Sequence, residues 1–318
     1  MQPVKQMDVS ADMSLVELVE AMGACGVLGA GRLARAANLL AEFFLNRDYK
    51  VFMAVAGPAV AGGLRKILAE LIRLGLVDTM VTTGANVTHD LVEALGFNHW
   101  QGSLHADDCE LRAKGYGRVG DIYVEQKAFE ALEKEVYRIL DEVREERGGK
   151  PLTVCELLWE LGSRIKPEGG GFILGEAARR KVPIFCPGIY DSMLGFHLWT
   201  YSKLKGLSLD LAGDLSRLAD LVFESKRIGA VILGGGLPKH HVLGSSMLRG
   251  GVDAALQITL DRPEGGSLSG AALEEAVSWA KAKRESRLVT VIGDYTAVFP
   301  ILVAYALSKL KRKGNLKP

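Results

Sequence analysis

The chain has 318 residues, 48% of them hydrophobic, which is enough to bury a substantial core. Its 39 Lys and Arg residues nearly balance its 38 Asp and Glu residues, and the net charge of +1 provides no general attraction for nucleic acid or an anionic membrane. No apolar run reaches the roughly 20 residues of a membrane span, and the polar first residues lack the pattern of a signal peptide. Composition therefore predicts a soluble cytoplasmic protein that binds small or specific partners. It predicts binding neither to nucleic acid nor to a membrane.

The four cysteines are widely separated, with no C-x-x-C pair and no histidine at zinc spacing. We therefore expect reduced thiols, and we assign no metal site. The cysteines are Cys25, Cys109, Cys155 and Cys186.

Short apolar runs alternate with longer amphipathic patterns, which is typical of a parallel sheet covered by helices. Between the runs, apolar residues recur at helical spacing over residues 62–76, 129–145 and 214–225. Thr79 is left in the turn before the second predicted strand. The predicted strands are residues 51–55, 80–82, 184–186, 230–233, 254–258 and 288–292.

The charged stretch 144–150 contains Gly148-Gly149 and has the composition of a domain linker. We favour a surface excursion, because the same alternation of strand and helix patterns continues after Leu152. The basic stretch 309–317 is typical of a solvated, frayed helix end. The organisation predicts one large α/β domain with a mostly parallel sheet and helices on both faces.

A triple glycine, Gly234-Gly235-Gly236, follows the strand predicted at 230–233. At the carboxyl end of a strand in an open α/β sheet, glycines let the backbone approach a ligand and present amide donors to a phosphate. The run differs from the G-x-G-x-x-G fingerprint of dinucleotide-binding proteins. Taken alone, it is explained equally well by a tight turn without a ligand.

Two other strand ends place a small residue beside a polar one, at residues 81–86 and 291–294. This composition is required where a backbone meets a nucleotide and an acid accepts ribose hydroxyls. Three such ends favour one shared cleft over three unrelated turns. Asp191 and Asp294 are the candidate partners of a ribose or nicotinamide, although an aspartate after a strand is more often a helix cap.

The run Lys239-His240-His241 follows the triple glycine closely. Adjacent histidines point in different directions on a regular element, so they form a poor metal pair. One of them could act as an acid or base near neutral pH. Taken alone, the pair is better explained as surface or packing histidines.

The segment 274–281 places Lys281 close to a tryptophan, a glycine-rich loop and a predicted strand. A lysine in such a place can lose its proton by desolvation and become an amine nucleophile for Schiff-base chemistry. On a regular helix, Glu274, Ser278 and Lys281 share one face, and Trp279 lies on another. The plain alternative is an amphipathic helix with Trp279 in the core and Lys281 in solvent.

Two motifs in fixed order carry the most specific signal: G-G-G-x-x-K-H-H at 234–241 and E-A-V-S-W-x-K at 275–281. The residues that accompany these motifs are Val81-Thr82-Thr83-Gly84-Ala85, Pro187, Asp191, Leu194-Gly195, Ile232-Leu233, Gly266-Ser267, Ser269-Gly270, Asp294 and Val298-Phe299-Pro300. Together, the motifs and these residues resemble the deoxyhypusine synthase family in order and spacing over residues 51–310.

The resemblance implies an NAD-dependent transferase with a Rossmann-like fold that assembles as a homotetramer. In that family, NAD takes hydride from spermidine, and the resulting butylamine imine passes to an active-site lysine. The group is then transferred to a lysine of the initiation factor 5A precursor and reduced there, giving deoxyhypusine. On this basis the chain divides into an N-terminal helical segment 1–50, an NAD-binding domain 51–310 and a basic tail 311–318.

The resemblance also implies roles for single residues. Lys281 would form the imine, and His240 would move the proton that amine oxidation releases. Glu275 and Trp279 would bind the cationic amine by charge pairing and cation–π contact, with His89 also on the substrate side. The implied NAD contacts are Thr83, Gly84, Asp191, Gly234, Gly235, Gly236 and Asp294.

The chain departs from the family pattern mainly on the amine side. Phe196 and Leu268 stand where the family has aspartates that bind the ammonium groups of the polyamine. An uncompensated buried ion costs several kcal/mol, so these two replacements put spermidine in question more than NAD. The other departures are Thr88 and His89 for two glutamates of the eukaryotic members, Gly57-Pro58 for serine and asparagine, Gly244 for asparagine, and Ala280 for the glycine before the lysine.

Three functions are therefore compatible with the sequence. The first is transfer from spermidine to the initiation factor 5A precursor. The second is a homospermidine synthase-like transfer to a free diamine, and the third is a weakly active NAD-binding paralogue.

Overall fold

The computed structural model describes residues 3–314. These residues form two compact units: unit 1 comprises the chain up to Val55 and from Leu218 onward, and unit 2 comprises Ala56–Arg217. The strands are β1 (Tyr49–Val55), β2 (Thr79–Thr82), β3 (His99–Gln101), β4 (Tyr116–Val119), β5 (Ile122–Glu125), β6 (Ile184–Phe185), β7 (Arg227–Leu233), β8 (Val252–Thr259) and β9 (Ala282–Ile292). The α-helices are α1 (Leu15–Cys25), α2 (Leu28–Leu45), α3 (Arg65–Arg73), α4 (Gly84–Ala94), α5 (Asp108–Ala113), α6 (Gln126–Arg147), α7 (Val154–Arg164), α8 (Ile173–Arg180), α9 (Met193–Lys205), α10 (Leu211–Glu224), α11 (Gly236–Ser246) and α12 (Tyr295–Arg312).

Unit 1 contains four strands in the order β1, β7, β8, β9, and each neighbouring pair is parallel. Val51, Gly229, Ala254 and Arg287 lie side by side across these strands. Parallel strands covered on both faces carry near-continuous apolar runs. The almost fully buried sequences of β1, β7 and β8 have this character, whereas β9 is less buried.

The helices of unit 1 hold this sheet in place. Helix α2 packs against α1 and α12, and α11 packs against β1 and β7. The Tyr305 hydroxyl donates to Asn38 Oδ1 at 2.8 Å, which satisfies a polar pair between α12 and α2. Helix α12 begins at the N-cap Asp294, whose side chain accepts from the Thr296 backbone N–H.

Unit 2 contains a buried ion pair between two of its helices. Arg65 on α3 donates through Nε to Asp90 on α4 at 2.7 Å, and both side chains are almost fully buried. Asp90 also accepts from the Ile173 and Leu174 backbone N–H groups, at 3.2 and 3.0 Å, which caps the start of α8. Beside these helices, β2 and β6 pair in parallel.

A small antiparallel sheet in unit 2, in the order β3, β5, β4, has no counterpart in the sequence prediction. Its strands are three or four residues long, and most of their residues are only half-buried or exposed. Strands this short show too little alternation to be recognised from periodicity.

The predicted fold class, α/β with a mostly parallel sheet and helices, is confirmed. All six predicted strands are present, but leaving Thr79 in a turn was wrong, because it is the first residue of β2. The helix predicted at 62–76 begins instead with a π-helical turn, Val60–Leu64, where Gly63 has φ 93°. Residues 144–150 lie inside unit 2, where α6 ends at Arg147 with Gly148 as its C-cap, and not between the units.

The domain boundaries at residues 50 and 310 stay predictions. Of the predicted basic tail 311–318, residues 315–318 lie outside the described residues. Within residues 3–314, none of the helices combines the length and the apolar character needed to span a membrane.

Candidate active site

Unit 1 contains a cavity of about 310 Å³ beside the start of β9. It brings together four residues that the sequence singled out, His240, Glu275, Trp279 and Lys281, although their positions span 42 residues of the chain. Among the described residues, those that line the cavity are Lys239, His240, Leu243, Leu268, Ala271, Ala272, Glu275, Ala276, Trp279 and Lys281.

The segment that carries Lys281 is not a regular helix. A short 3₁₀ helix, Leu273–Val277, is followed by a tight turn in which the Ala276 carbonyl accepts from the N–H groups of both Trp279 and Lys281, at 3.3 and 2.9 Å. Ala280 then takes φ 54°, in the left-handed region. This conformation ends the helical path and delivers Lys281 to the start of β9.

The alternative expectation, an amphipathic helix with Trp279 in the core and Lys281 in solvent, is wrong. Trp279 is 60% exposed and not in the core. Lys281 is half-buried, and its carbonyl accepts from Val252 N–H at 3.0 Å, which anchors it to the first residue of β8. Lys281 Nζ lies over the Trp279 ring, 5.4 Å from its centre, which is within the range of a cation–π contact.

Lys239 is a cavity residue to which the sequence reasoning gave no role. It is buried, and its Nζ donates to Gln257 Oε1 at 3.0 Å and to the Ala271 carbonyl at 2.6 Å. Burial lowers the pKa of Lys239 to about 8, with the charge of Lys281 acting in the same direction and Glu275 opposing it. Helical periodicity was the available signal: Lys239 stands on the buried stripe of α11 with Val242, Leu243 and Ser246.

The two neighbouring histidines on α11 have different surroundings. His240 is exposed and lines the cavity. His241 is half-buried, and burial lowers its pKa. The cavity side of α11 thus presents His240, the member of the pair that the family resemblance favours.

The glycines after β7 and the residues after β9 lie at the same edge of the unit 1 sheet. Gly234 N–H donates to the Ile258 carbonyl at 2.8 Å, and Gly293 N–H donates to the Thr259 carbonyl at 2.9 Å, so both chain ends pair with the end of β8. A Cβ on Gly235 would lie 2.4 Å from Ser269 Cα, which leaves room only for glycine. Two of the three strand ends singled out in the sequence therefore meet in unit 1.

Asp294 and Asp191 are both exposed, and they differ in their bonding. Asp294 is the N-cap of α12, and its Oδ1 accepts from Thr296 N and from Thr296 Oγ1, both at 2.7 Å. Asp191, in unit 2, lies in the turn before α9, where its N–H donates to the Gly188 carbonyl at 3.0 Å. Asp294 is therefore a helix cap, as is more common for an aspartate after a strand, and both of these hydrogen bonds use Oδ1 and not Oδ2.

Thr83 and Gly84 begin α4 in unit 2. Thr83 Oγ1 accepts from Asn86 N–H at 3.3 Å, which makes Thr83 the N-cap. A Cβ on Gly84 would lie 2.5 Å from Ser192 Oγ, next in sequence to Asp191. Unit 2 therefore brings Thr83, Gly84 and Asp191 into one neighbourhood.

His89 belongs to a chain of hydrogen-bonded side chains in unit 2. Its Nδ1 lies 2.8 Å from His99 Nε2, and His99 Nδ1 lies 2.7 Å from Glu93 Oε1. Because the Glu93 carboxylate only accepts, His99 donates to it from Nδ1, and His99 Nε2 is the ring nitrogen that shares a hydrogen bond with His89 Nδ1. Burial lowers the pKa of His89 to about 4, so this ring is neutral at physiological pH.

Comparison with known proteins decides the family. The deoxyhypusine synthase family model matches residues 17–306. The "Probable deoxyhypusine synthase" of Methanothermobacter thermautotrophicus is 48% identical over 96% of this chain and 98% of its own length. The protein of the same name from Methanopyrus kandleri is 46% identical over 94% of this chain and 96% of its own length. The chain belongs to the deoxyhypusine synthase family.

The fold agrees with this membership. A solved structure of a candidate deoxyhypusine synthase from Entamoeba histolytica superposes with a TM-score of 0.68 and covers 96% of this chain and 97% of its own, at 18% identity. At that identity the superposition speaks for the fold alone. As a member of the deoxyhypusine synthase family, the protein is a transferase.

Proposed function

We propose that this protein transfers the aminobutyl group of spermidine to a lysine of the initiation factor 5A precursor, through an imine on Lys281. The observation that carries the proposal is the cavity of unit 1, where Lys281 shares one space with His240, Glu275 and Trp279. An amine nucleophile, an imidazole that can accept a proton and two groups that bind cations are the set that this chemistry needs. Family membership supports the same reaction.

The residues of unit 1 fit a bound NAD, which would serve as the hydride acceptor. Helix α11 starts at Gly236, directly after Gly235, and the first N–H groups of a helix are donors for phosphate oxygens. The open Oδ2 of Asp294 is suited to a ribose hydroxyl. On the resemblance to the family, the proposed NAD contacts are Gly234, Gly235, Gly236 and Asp294 in unit 1, and Thr83, Gly84 and Asp191 in unit 2.

The side chains of the cavity would handle charge and protons. The Glu275 carboxylate and the Trp279 ring would bind the ammonium end of the amine, and His240 would take the proton released as the amine is oxidised to an imine. Lys281 Nζ then adds to the imine carbon, and the bond from that carbon to the departing diamine nitrogen breaks. A lysine of the acceptor later displaces Lys281 from the same carbon, and that carbon would then regain the hydride, which gives the saturated aminobutyl amine. His89 is proposed on the substrate side.

The amine side favours a second candidate. Leu268 lines the cavity, and among the lining residues that the structure describes, Glu275 is the single carboxylate, against two lysines. A donor with few positive charges, or a free diamine as acceptor, suits this balance better than a fully charged polyamine. A homospermidine synthase-like transfer is therefore the alternative function, and a weakly active NAD-binding paralogue is the third hypothesis.

The main proposal also includes assembly as a homotetramer in the cytoplasm.

Borohydride trapping tests the proposal. The protein is incubated with NAD and labelled spermidine, putrescine or agmatine, reduced with borohydride, and digested for mass spectrometry, with Lys281→Arg as the matched control. We expect label from spermidine on Lys281, no label in the control, and label on one lysine of the initiation factor 5A precursor when it is added. A soluble product from a free diamine would favour the alternative. No label under conditions where another family member works would exclude the main proposal.

A further inference from the structure

The buried ammonium of Lys239 lies at a junction of three chain segments. It stands in the first turn of α11 with 4% of its surface exposed, and it lines the cavity. Its two acceptors come from elsewhere in unit 1: Gln257 Oε1 on β8 at 3.0 Å and the Ala271 carbonyl in the loop that follows β8 at 2.6 Å. One cation therefore links α11, β8 and that loop.

Gln257 extends this junction to the glycines. Its carboxamide is fully buried, and Nε2 donates to the Gly234 carbonyl at 2.9 Å and to the Ser269 carbonyl at 2.8 Å. An ammonium donates and never accepts, so it requires Gln257 Oε1 on its side and leaves Nε2 for the two carbonyls. The charge of Lys239 thus determines the orientation of the amide that joins Gly234 to Ser269.

We infer that Lys239 is a positioning residue that acts through Gln257 to fix the glycine backbone after β7 and the loop wall of the cavity relative to each other. The inference rests on the proposed function, in which that backbone contacts NAD and that loop borders the amine. One side chain then holds the backbone that would contact NAD in a fixed position relative to the loop that would border the amine. Correct placement of the reacting groups is a large part of catalysis.

Stability alone does not account for a cation in this place. Burial disfavours the charged form, which the lowered pKa of Lys239, about 8, expresses. A methionine would fill nearly the same space without that penalty, and replacing buried charges by apolar residues is often neutral or stabilising when no partner is left unpaired. Here the partners are the amide and carbonyl that shape the site, which is the reason to keep the charge.

A double-mutant cycle tests the inference with Lys239→Met, Gln257→Leu and the combined variant. NAD affinity is measured by calorimetry, and backbone hydrogen exchange is followed in segments 234–236 and 267–271. Lys283→Met is the control, because Lys283 pairs with Asp253 at the other end of β8 and does not line the cavity. Lys239→Gln, which keeps a donor, is the second variant in case Lys239→Met does not fold.

Each single variant is expected to weaken NAD binding on the order of 10- to 100-fold, the effect of losing a hydrogen bond to a charged group. Because the two residues act as a unit, the double variant should lose no more than the worse single variant. Exchange should accelerate in both segments, less so in Lys239→Gln, and stay unchanged in Lys283→Met. Additive losses, or unaltered exchange in either segment, would overturn the inference. Exchange needs neither NAD nor amine, so it decides the inference even if trapping rules out the proposed function.

Discussion

Lys281 Nζ lies 5.4 Å from the centre of the Trp279 ring, although only Ala280 separates the two residues in sequence. On a regular helix, residues two apart point to different sides. The left-handed φ of Ala280, 54°, breaks the helical path and folds the lysine back toward the ring. The contact that places a cation-binding surface beside the proposed nucleophile therefore depends on a backbone feature of the residue between them.

Replacing Trp279 by Leu should weaken amine binding. A partly exposed cation–π contact contributes about 0.5–1 kcal/mol, so the KM for the amine should rise about two- to fivefold. Trp279→Phe keeps an aromatic face and should lie in between. The measurement is steady-state kinetics at saturating NAD, with Trp100→Leu as the control because Trp100 is also exposed and does not line the cavity. Equal KM values for the Leu and Phe variants would contradict the role of the ring.

The strain at Ala280 gives a stability prediction. A left-handed conformation costs a non-glycine residue about 1–2 kcal/mol, and part of the gain from glycine is cancelled by its freer unfolded chain. Ala280→Gly should therefore raise the free energy of unfolding by about 0.5 kcal/mol, whereas the β-branched Ala280→Val should lower it by more than about 1 kcal/mol. Urea unfolding of the three proteins checks this. A valine variant as stable as the wild type would show that the turn relaxes.

The sequence was most informative where burial is continuous. The runs that became β1, β7 and β8 are buried on both faces, so hydrophobicity alone marked them. The placement of His240, Glu275, Trp279 and Lys281 in one cavity required the family resemblance, because elements far apart in sequence supply them. Periodicity could not have joined them.

The turn at Ala280 and the role of Lys239 were not predicted from the sequence, and each has a physical reason. The spacing of residues 274–281 fits a helix, and alanine favours helices, so Ala280 does not indicate a positive φ. The role of Lys239 was missed because lysines are almost always exposed. Its hydrogen-bond partner Gln257 lies on strand β8, and no local pattern in the sequence connects that strand to α11.

The substitution Leu268→Asp, which places a carboxylate where the family has one, should strengthen polyamine binding. Leu268 is 48% exposed at the cavity, so a new ion pair there would be partly screened and worth about 1 kcal/mol, or roughly a fivefold lower KM for a charged polyamine. Leu268→Asn is the matched control, because asparagine has the shape of aspartate without its charge. The effect should shrink at high salt. A polyamine KM that is equal in the Asp and Asn variants would show that the amine does not reach this wall.

His89 should make the stability of the protein depend on pH in the acidic range. Its pKa is lowered to about 4 in the folded protein and is about 6.5 in an unfolded chain. Between these values the unfolded chain binds more protons, so the stability associated with neutral His89 is complete above about pH 6.5 and is lost as pH falls toward 4, by at most about 3 kcal/mol. In His89→Asn, whose amide can still donate toward His99, the free energy of unfolding should decline less between pH 7 and 4.5 than in the wild type. Equal declines in urea unfolding would show that another group titrates there and that the contact between His89 and His99 does not control it.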